Sequence, residues 1–159
     1  IEYVINQVKS GIDCFQLFET YSGIISNEDY KNFILPLSTK ILLEARESGV
    51  PTIFFPKNFN EGLKYINKEM CDYVSVDYDI SLDYARNLLD SEVGIQGNMD
   101  PKIFYQEIDE IEKYLKSLID FGSKNTDWIF NLGHGFRPDI DHIKVKYVVE
   151  WIKNANWKR

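Results

Sequence analysis

The residues best suited to chemistry lie near the C-terminus, in the stretch Asn131-Leu132-Gly133-His134-Gly135-Phe136-Arg137-Pro138-Asp139. His134 is one of only two histidines in the chain, and it stands between two glycines with few side-chain neighbours of its own. Imidazole is the side chain whose ordinary pKa lies between pH 5 and 8, so it can take up or give up a proton near neutral pH. Four other short stretches place polar groups directly after apolar runs: Glu19-Thr20-Tyr21-Ser22-Gly23, Lys57-Asn58, Asp77-Tyr78-Asp79 and Gln96-Gly97-Asn98-Met99-Asp100-Pro101. The glycines among them let backbone approach a ligand or take positive φ. Each group also has an ordinary structural reading. Asn98 and Asp100 before Pro101 suit a turn and a helix start. Asp77 can cap a helix or pair with Lys57, and Thr20 can act as a cap. Spacing alone leaves His134 open between a functional group and a loop residue, and His142 reads as surface.

The elements that must position these groups follow from rhythm. Short runs rich in apolar, β-branched and aromatic residues recur at Cys14–Phe18, Thr52–Phe55, Tyr73–Val76, Val93–Gln96 and Trp128–Leu132, each bounded by Gly, Pro, Asn or Asp. Helical spacing fills the gaps. Ile108, Ile111, Leu115, Leu118 and Ile119 share one face of a helix over Glu107–Phe121. A last helix over Ile143–Trp151 has Asp141 as its N-cap. Asn27–Glu47 reads as helix with a kink or break at Pro36, and a first helix covers Glu2–Lys9. Strand followed by helix, five times over, predicts an α/β fold with parallel strands. Two architectures fit: a five-stranded doubly wound sheet, or part of a (β/α)8 barrel, which usually needs about 250 residues. In both, function belongs at the C-terminal strand ends. Residues 1–159 are expected to form a single domain.

Composition excludes several classes. The chain has 159 residues, 44% of them apolar, which suits a packed core. A net charge of -7 argues against a nucleic-acid binder, which needs clustered Lys and Arg. No apolar run approaches the roughly 20 residues that span a bilayer. There is no nucleotide-binding glycine motif and no Cys/His spacing typical of zinc. Cys14 and Cys71 both read as buried, reduced thiols, and a reducing, cytoplasmic setting is expected.

At the strand ends the sequence resembles the C-terminal part of uroporphyrinogen decarboxylase. The resemblance rests on QLFETYSG, VPTIFFPKN, VSVDYDISLDYAR, GIQGNMDP and IFNLGHGFRPD, in order and spacing, from about Gln7 to Lys153. QGNMDP together with NLGHG is a highly specific pair. It implies that this chain is the C-terminal five βα units of a (β/α)8 TIM barrel, an incomplete barrel. It also implies a carboxy-lyase of haem and porphyrin biosynthesis, a homodimer when full length. The implied substrate is a tetrapyrrole, uroporphyrinogen III, whose four acetate side chains lose carbon dioxide to give coproporphyrinogen III, with no metal and no organic cofactor. His134 matches the family's strand-end histidine that contacts a substrate carboxylate. Thr20 stands where a substrate-binding serine usually follows LFE or LFD, and keeps the hydroxyl. Tyr78 replaces a common Trp, and Asn58 replaces a common Gly, a position where Asn tolerates left-handed backbone. No catalytic residue is assigned to this part of the chain. The family's arginines, its pyrrole-binding aspartate and its active-site tyrosine belong to the N-terminal part, so the fragment alone is expected to be inactive. Two alternatives share the architecture: a corrinoid-dependent methyltransferase, which would need zinc ligands, and a non-catalytic half-barrel that self-associates through open sheet edges.

Overall fold

The five apolar runs become five strands in a computed structural model that describes residues 1–157. They are β1 (Phe15–Glu19), β2 (Thr52–Pro56), β3 (Tyr73–Ser75), β4 (Gly94–Met99) and β5 (Trp128–Leu132). They lie side by side in chain order, each parallel to the next. That order decides between the two architectures. A doubly wound sheet reverses direction at a switch point, whereas a barrel winds one way throughout. With right-handed crossovers, one-way winding puts the helices on one face and leaves the other face inside an arc. The protein is an α/β portion of a barrel.

Strand alternation sorts the side chains between these two faces. Phe15, Phe54, Val74, Ile95 and Met99 point to the helix side and join the core, with Leu17, Trp128 and Phe130 packed against it. Full burial of each such side chain stabilises by about 1.5–3 kcal/mol. Gln16, Phe18, Phe55 and Ser75 line the concave side, where the Gln96 amide reaches Gln16 Oε1 at 3.5 Å. This inner face is open: Phe18 is 63% exposed. β1 and β5 each lack a second neighbour among the described residues.

The helices are α1 (Glu2–Lys9), α2 (Asn27–Asp29), α3 (Leu35–Glu47), α4 (Leu82–Leu88), α5 (Ile108–Ser117), α6 (Ile119–Lys124) and α7 (His142–Asn154). The expected cap of the last helix is present, with Asp141 Oδ1 accepting from the Ile143 amide at 2.8 Å. Ser26 and Ser81 cap α2 and α4 in the same way. The interruption expected at Pro36 takes the form of a π-helical turn, Tyr30–Ile34, between α2 and α3, with Pro36 in the first turn of α3 directly after it.

Four expectations need correction. The helix expected over Glu107–Phe121 is two, because the chain tightens at Leu118, whose amide bonds Leu115 O at 3.1 Å; the turn swings Phe121 edge-on against Trp128. The β2–β3 connection carries only a 3-10 helix, Asn60–Tyr65, not an α-helix. Asparagines and a glycine crowd that stretch, and Gly62 lies tight beneath the Phe59 ring. β4 runs on to Met99, so Asn98 is a strand residue rather than a turn residue. Cys14 is exposed, preceding an edge strand that has cover on one side only, while Cys71 is buried as expected and burial pushes its thiol up to about 12. Among the described residues no helix is long and apolar enough to cross a membrane.

Candidate functional site at the C-terminal strand ends

The loops that leave the strands are tied to one another in series. The Lys57 amide donates to Glu19 O at 3.0 Å, and the buried Ser22 hydroxyl donates to both Glu19 O and Lys57 O, which joins the loops after β1 and β2. Asn58 takes the left-handed conformation at φ 58°, and its amide donates to Asp77 Oδ2 at 2.7 Å, which joins the loops after β2 and β3. The buried Asn98 amide donates to Asp77 O at 2.7 Å and Ile80 O at 2.6 Å, which anchors the β3 loop on β4. Gly97, at φ 130°, lies too close to the Val76 carbonyl for any larger residue.

The two glycines beside His134 do different work. Gly133 is buried against the β3 loop, and a Cβ there would sit 2.9 Å from the Tyr78 Cβ and overlap the Tyr78 amide. A Cβ on Gly135 would meet nothing within 4 Å. Gly133 therefore seats the β5 loop on the β3 loop, and Gly135 is the one that leaves bare backbone beside a ligand space. Neither takes positive φ.

His134 is exposed, with Nδ1 3.2 Å from Gly135 O. A proton on Nδ1 is held there, which leaves Nε2 for a ligand. The ring stands between two clefts of about 450 Å³ each. The inner cleft opens on the concave face and is lined by Gln16, Phe18, Phe55, Ser75, Leu132 and Phe136 beside His134. The outer cleft lies among the loops and is lined by Lys57, Tyr78, Lys102, Tyr105 and Arg137 beside His134. One side suits flat apolar matter, and the other suits anions.

Asp77 lies beneath this rim at 4% exposure. It neither caps a helix nor forms an ion pair with Lys57. Its Oδ2 accepts the Asn58 amide, and its Oδ1 is buried without a partner. Burial pushes its carboxyl up, and the charge of Asp79 adds to this; the Asn58 amide, Lys57 and His134 pull the other way without cancelling it.

Thr20 lies on the turn after β1, exposed, at the opposite edge of the sheet from His134, and borders neither cleft. Asp100 caps the 3-10 helix Pro101–Tyr105, as its place before Pro101 suggests. His142 is exposed at the start of α7. Sequence reasoning missed the lining residues Gln16, Phe18 and Phe55, although the alternation in Phe15-Gln16-Leu17-Phe18 already places Gln16 and Phe18 on one face. It also missed Lys102 and Tyr105, which carry no local signal. Among the described residues no three His, Cys, Asp or Glu side chains converge as metal ligands. Both cysteines precede their strands, at the opposite end of the sheet from His134.

The chain matches the family model for uroporphyrinogen decarboxylase (URO-D) over residues 1–155. It is 31% identical to a uroporphyrinogen decarboxylase of Geobacter sulfurreducens and 36% identical to one of Chlorobium luteolum, in each case covering 99% of this chain and 46% of the relative. The chain thus spans about half the length of the curated relatives it matches. Among solved structures it is similar to a methyltransferase from Methanosarcina mazei, with a TM-score of 0.73 at 17% identity, over 94% of this chain and 44% of that one. That likeness shows the fold alone, and it too ends at a partial barrel. By the extent of the family match, the chain belongs to the uroporphyrinogen decarboxylase family.

Proposed function

We propose that this chain is the C-terminal part of a uroporphyrinogen decarboxylase barrel and that its strand-end rim binds the tetrapyrrole, with His134 and Thr20 as substrate-binding residues. The observation that carries this reading is the position of His134, between an aromatic-lined cleft and a cation-lined one. A tetrapyrrole has both matching parts, flat rings and carboxylate arms. In the reaction a pyrrole carbon takes a proton, and the electrons of the adjacent acetate's C–CO₂ bond flow into that ring. Carbon dioxide leaves. The exocyclic methylene takes a proton, the ring gives its own back, and a methyl group remains, with one proton consumed per acetate. The ring is the electron sink. With Nδ1 turned to Gly135 O, His134 in its doubly protonated form donates from Nε2 to a carboxylate and orients the arm, and the Thr20 hydroxyl donates to a carboxylate from the other edge.

The substrate bears eight carboxylates, and a chain of net charge -7 cannot neutralise them alone. Turnover on this reading needs the remainder of the barrel. The test is anaerobic incubation of the chain with uroporphyrinogen, with chromatography of the products, beside a titration of oxidised uroporphyrin read by its Soret band. Saturable binding without decarboxylation is expected, and His134→Ala should weaken binding about tenfold, the value of one charge-assisted hydrogen bond. Absence of saturable binding would overturn the substrate assignment, and turnover by the chain alone would overturn the need for more of the barrel. A methyltransferase reading has less to rest on, because His134 and the two cysteines lie at opposite ends of the sheet.

A further inference from the structure

We propose that the outer cleft is a carboxylate pocket, in which Lys57, Lys102 and Arg137 hold one side-chain carboxylate of a ligand whose ring occupies the inner cleft, with His134 at the wall between. The inference rests on the tetrapyrrole reading for the source of the carboxylate, not for the pocket itself. Elsewhere Arg46 and Lys68 pair with Asp72, Arg86 with Asp127, Lys113 with Glu110, Lys116 with Glu112, Lys124 with Asp120 and Lys146 with Glu150, while Lys9, Lys31, Lys40, Lys64, Lys144 and Lys153 form no ion pair among the described residues but do not line this cleft. Lys57, Lys102 and Arg137 form no ion pair among the described residues, yet all three line one cleft. The one carboxylate in that lining is Asp100, and its Oδ1 is already engaged by the Lys102 amide at 2.9 Å. Asp139, next in sequence but one to Arg137, is engaged by the Tyr105 hydroxyl, 3.0 Å from both its oxygens. Three cations against one lining carboxylate leave the cleft with an excess of positive charge, and a bound anion reduces their mutual repulsion.

The chemistry of the lining points to a carboxylate on an arm. Lys102 Nζ sits 5.9 Å from the Tyr78 ring centroid, a cation–π contact that places the ammonium over the cleft floor. Arg137 offers a planar fork that matches the two oxygens of a carboxylate. Gly135 borders both clefts and adds no side chain, so an arm can pass from one to the other beside His134.

The test is a titration of the chain with succinate, followed by NMR at the Arg137 Nε–H and at the Tyr78 and Gly135 amides. Saturable shifts confined to these groups are expected. Lys57→Met and Arg137→Met should each weaken succinate about tenfold. Uroporphyrin should displace succinate, and its octamethyl ester should not. Shifts that never saturate, or that survive both substitutions, would overturn the pocket whatever the porphyrin does. Saturating succinate beside a Soret change without displacement would overturn the arm assignment. Saturating succinate with no Soret change at all would support a carboxylate pocket and sink the tetrapyrrole reading instead, so the two failures are distinct.

Discussion

The two rims of the sheet solve opposite problems. At the N-terminal rim polar groups are paired. Asp72 Oδ2 accepts the Thr52 amide at 3.0 Å and the Thr52 hydroxyl at 3.1 Å, and its Oδ1 takes Lys68 Nζ at 2.9 Å and Arg46 at 3.5 Å. Close by, Arg86 satisfies the carbonyls of Val93 and Asp90 and pairs with Asp127. At the C-terminal rim the pairing stops. Asp77 is half satisfied, three cations outnumber the one carboxylate in their cleft, and His134 is exposed. The lesson is the general one for barrels: the end where every partner is present holds the fold, and the end with partners missing holds the ligand.

This contrast can be broken in graded steps. The largest expected effect is Asp72→Ala, which strands the buried Thr52 amide and two cations; a loss of about 2–4 kcal/mol is expected in urea denaturation. Burial pushes the Asp72 carboxyl up, but Lys68, the Thr52 amide and Arg46 outweigh it, so it titrates below the usual range. Its contribution is therefore present above the unfolded carboxylate pKa and is lost as pH falls through the lowered folded value. The stability gap between the native chain and Asp72→Ala should shrink in acid.

Next comes Gly133→Ala, which forces the β5 loop off the β3 loop and should cost about 1–3 kcal/mol. Gly135→Ala, in open space, should stay within about 0.5 kcal/mol. Equal losses at the two glycines would show that they do not divide the work as described.

Asp77→Asn should change the pH dependence in the sense opposite to Asp72. The folded pKa of Asp77 is raised, so the native state holds its proton more tightly than the unfolded chain, and stability declines as pH rises through that window. The advantage of the native chain over the Asp77→Asn variant should therefore grow as pH falls, and urea midpoints between neutral and acid pH measure it. The smallest effect on stability is expected for His134→Ala, within about 0.5 kcal/mol, because the side chain is exposed; its consequence is the tenfold loss in porphyrin affinity.

Much of the framework was legible from the chain alone. β5 and α1 have the bounds that apolar patterning predicts, and Asp141 caps α7 as its type and place demand. The other strands shift by one to three residues at their ends, because the parallel ladder, not composition, decides where pairing stops. Asn58 shows a local rule surviving into the fold: a residue tolerant of left-handed backbone occupies the left-handed position. Cys14 shows the reverse, since an apolar neighbourhood in sequence says nothing about whether the strand lies at an edge.

The sequence by itself determined the strand–helix alternation, the five strand ends that carry polar groups, and the family. These follow from side-chain type and near-neighbour spacing, which a linear chain contains. Only the tertiary structure decided that the strands lie in chain order, that Gly133 serves packing while Gly135 serves access, that Thr20 and His134 sit at opposite edges, and that Lys57, Lys102 and Arg137 share one cleft. Those facts depend on contacts between residues far apart in sequence, set by parallel pairing and by how closely backbone meets backbone, and no local pattern encodes them.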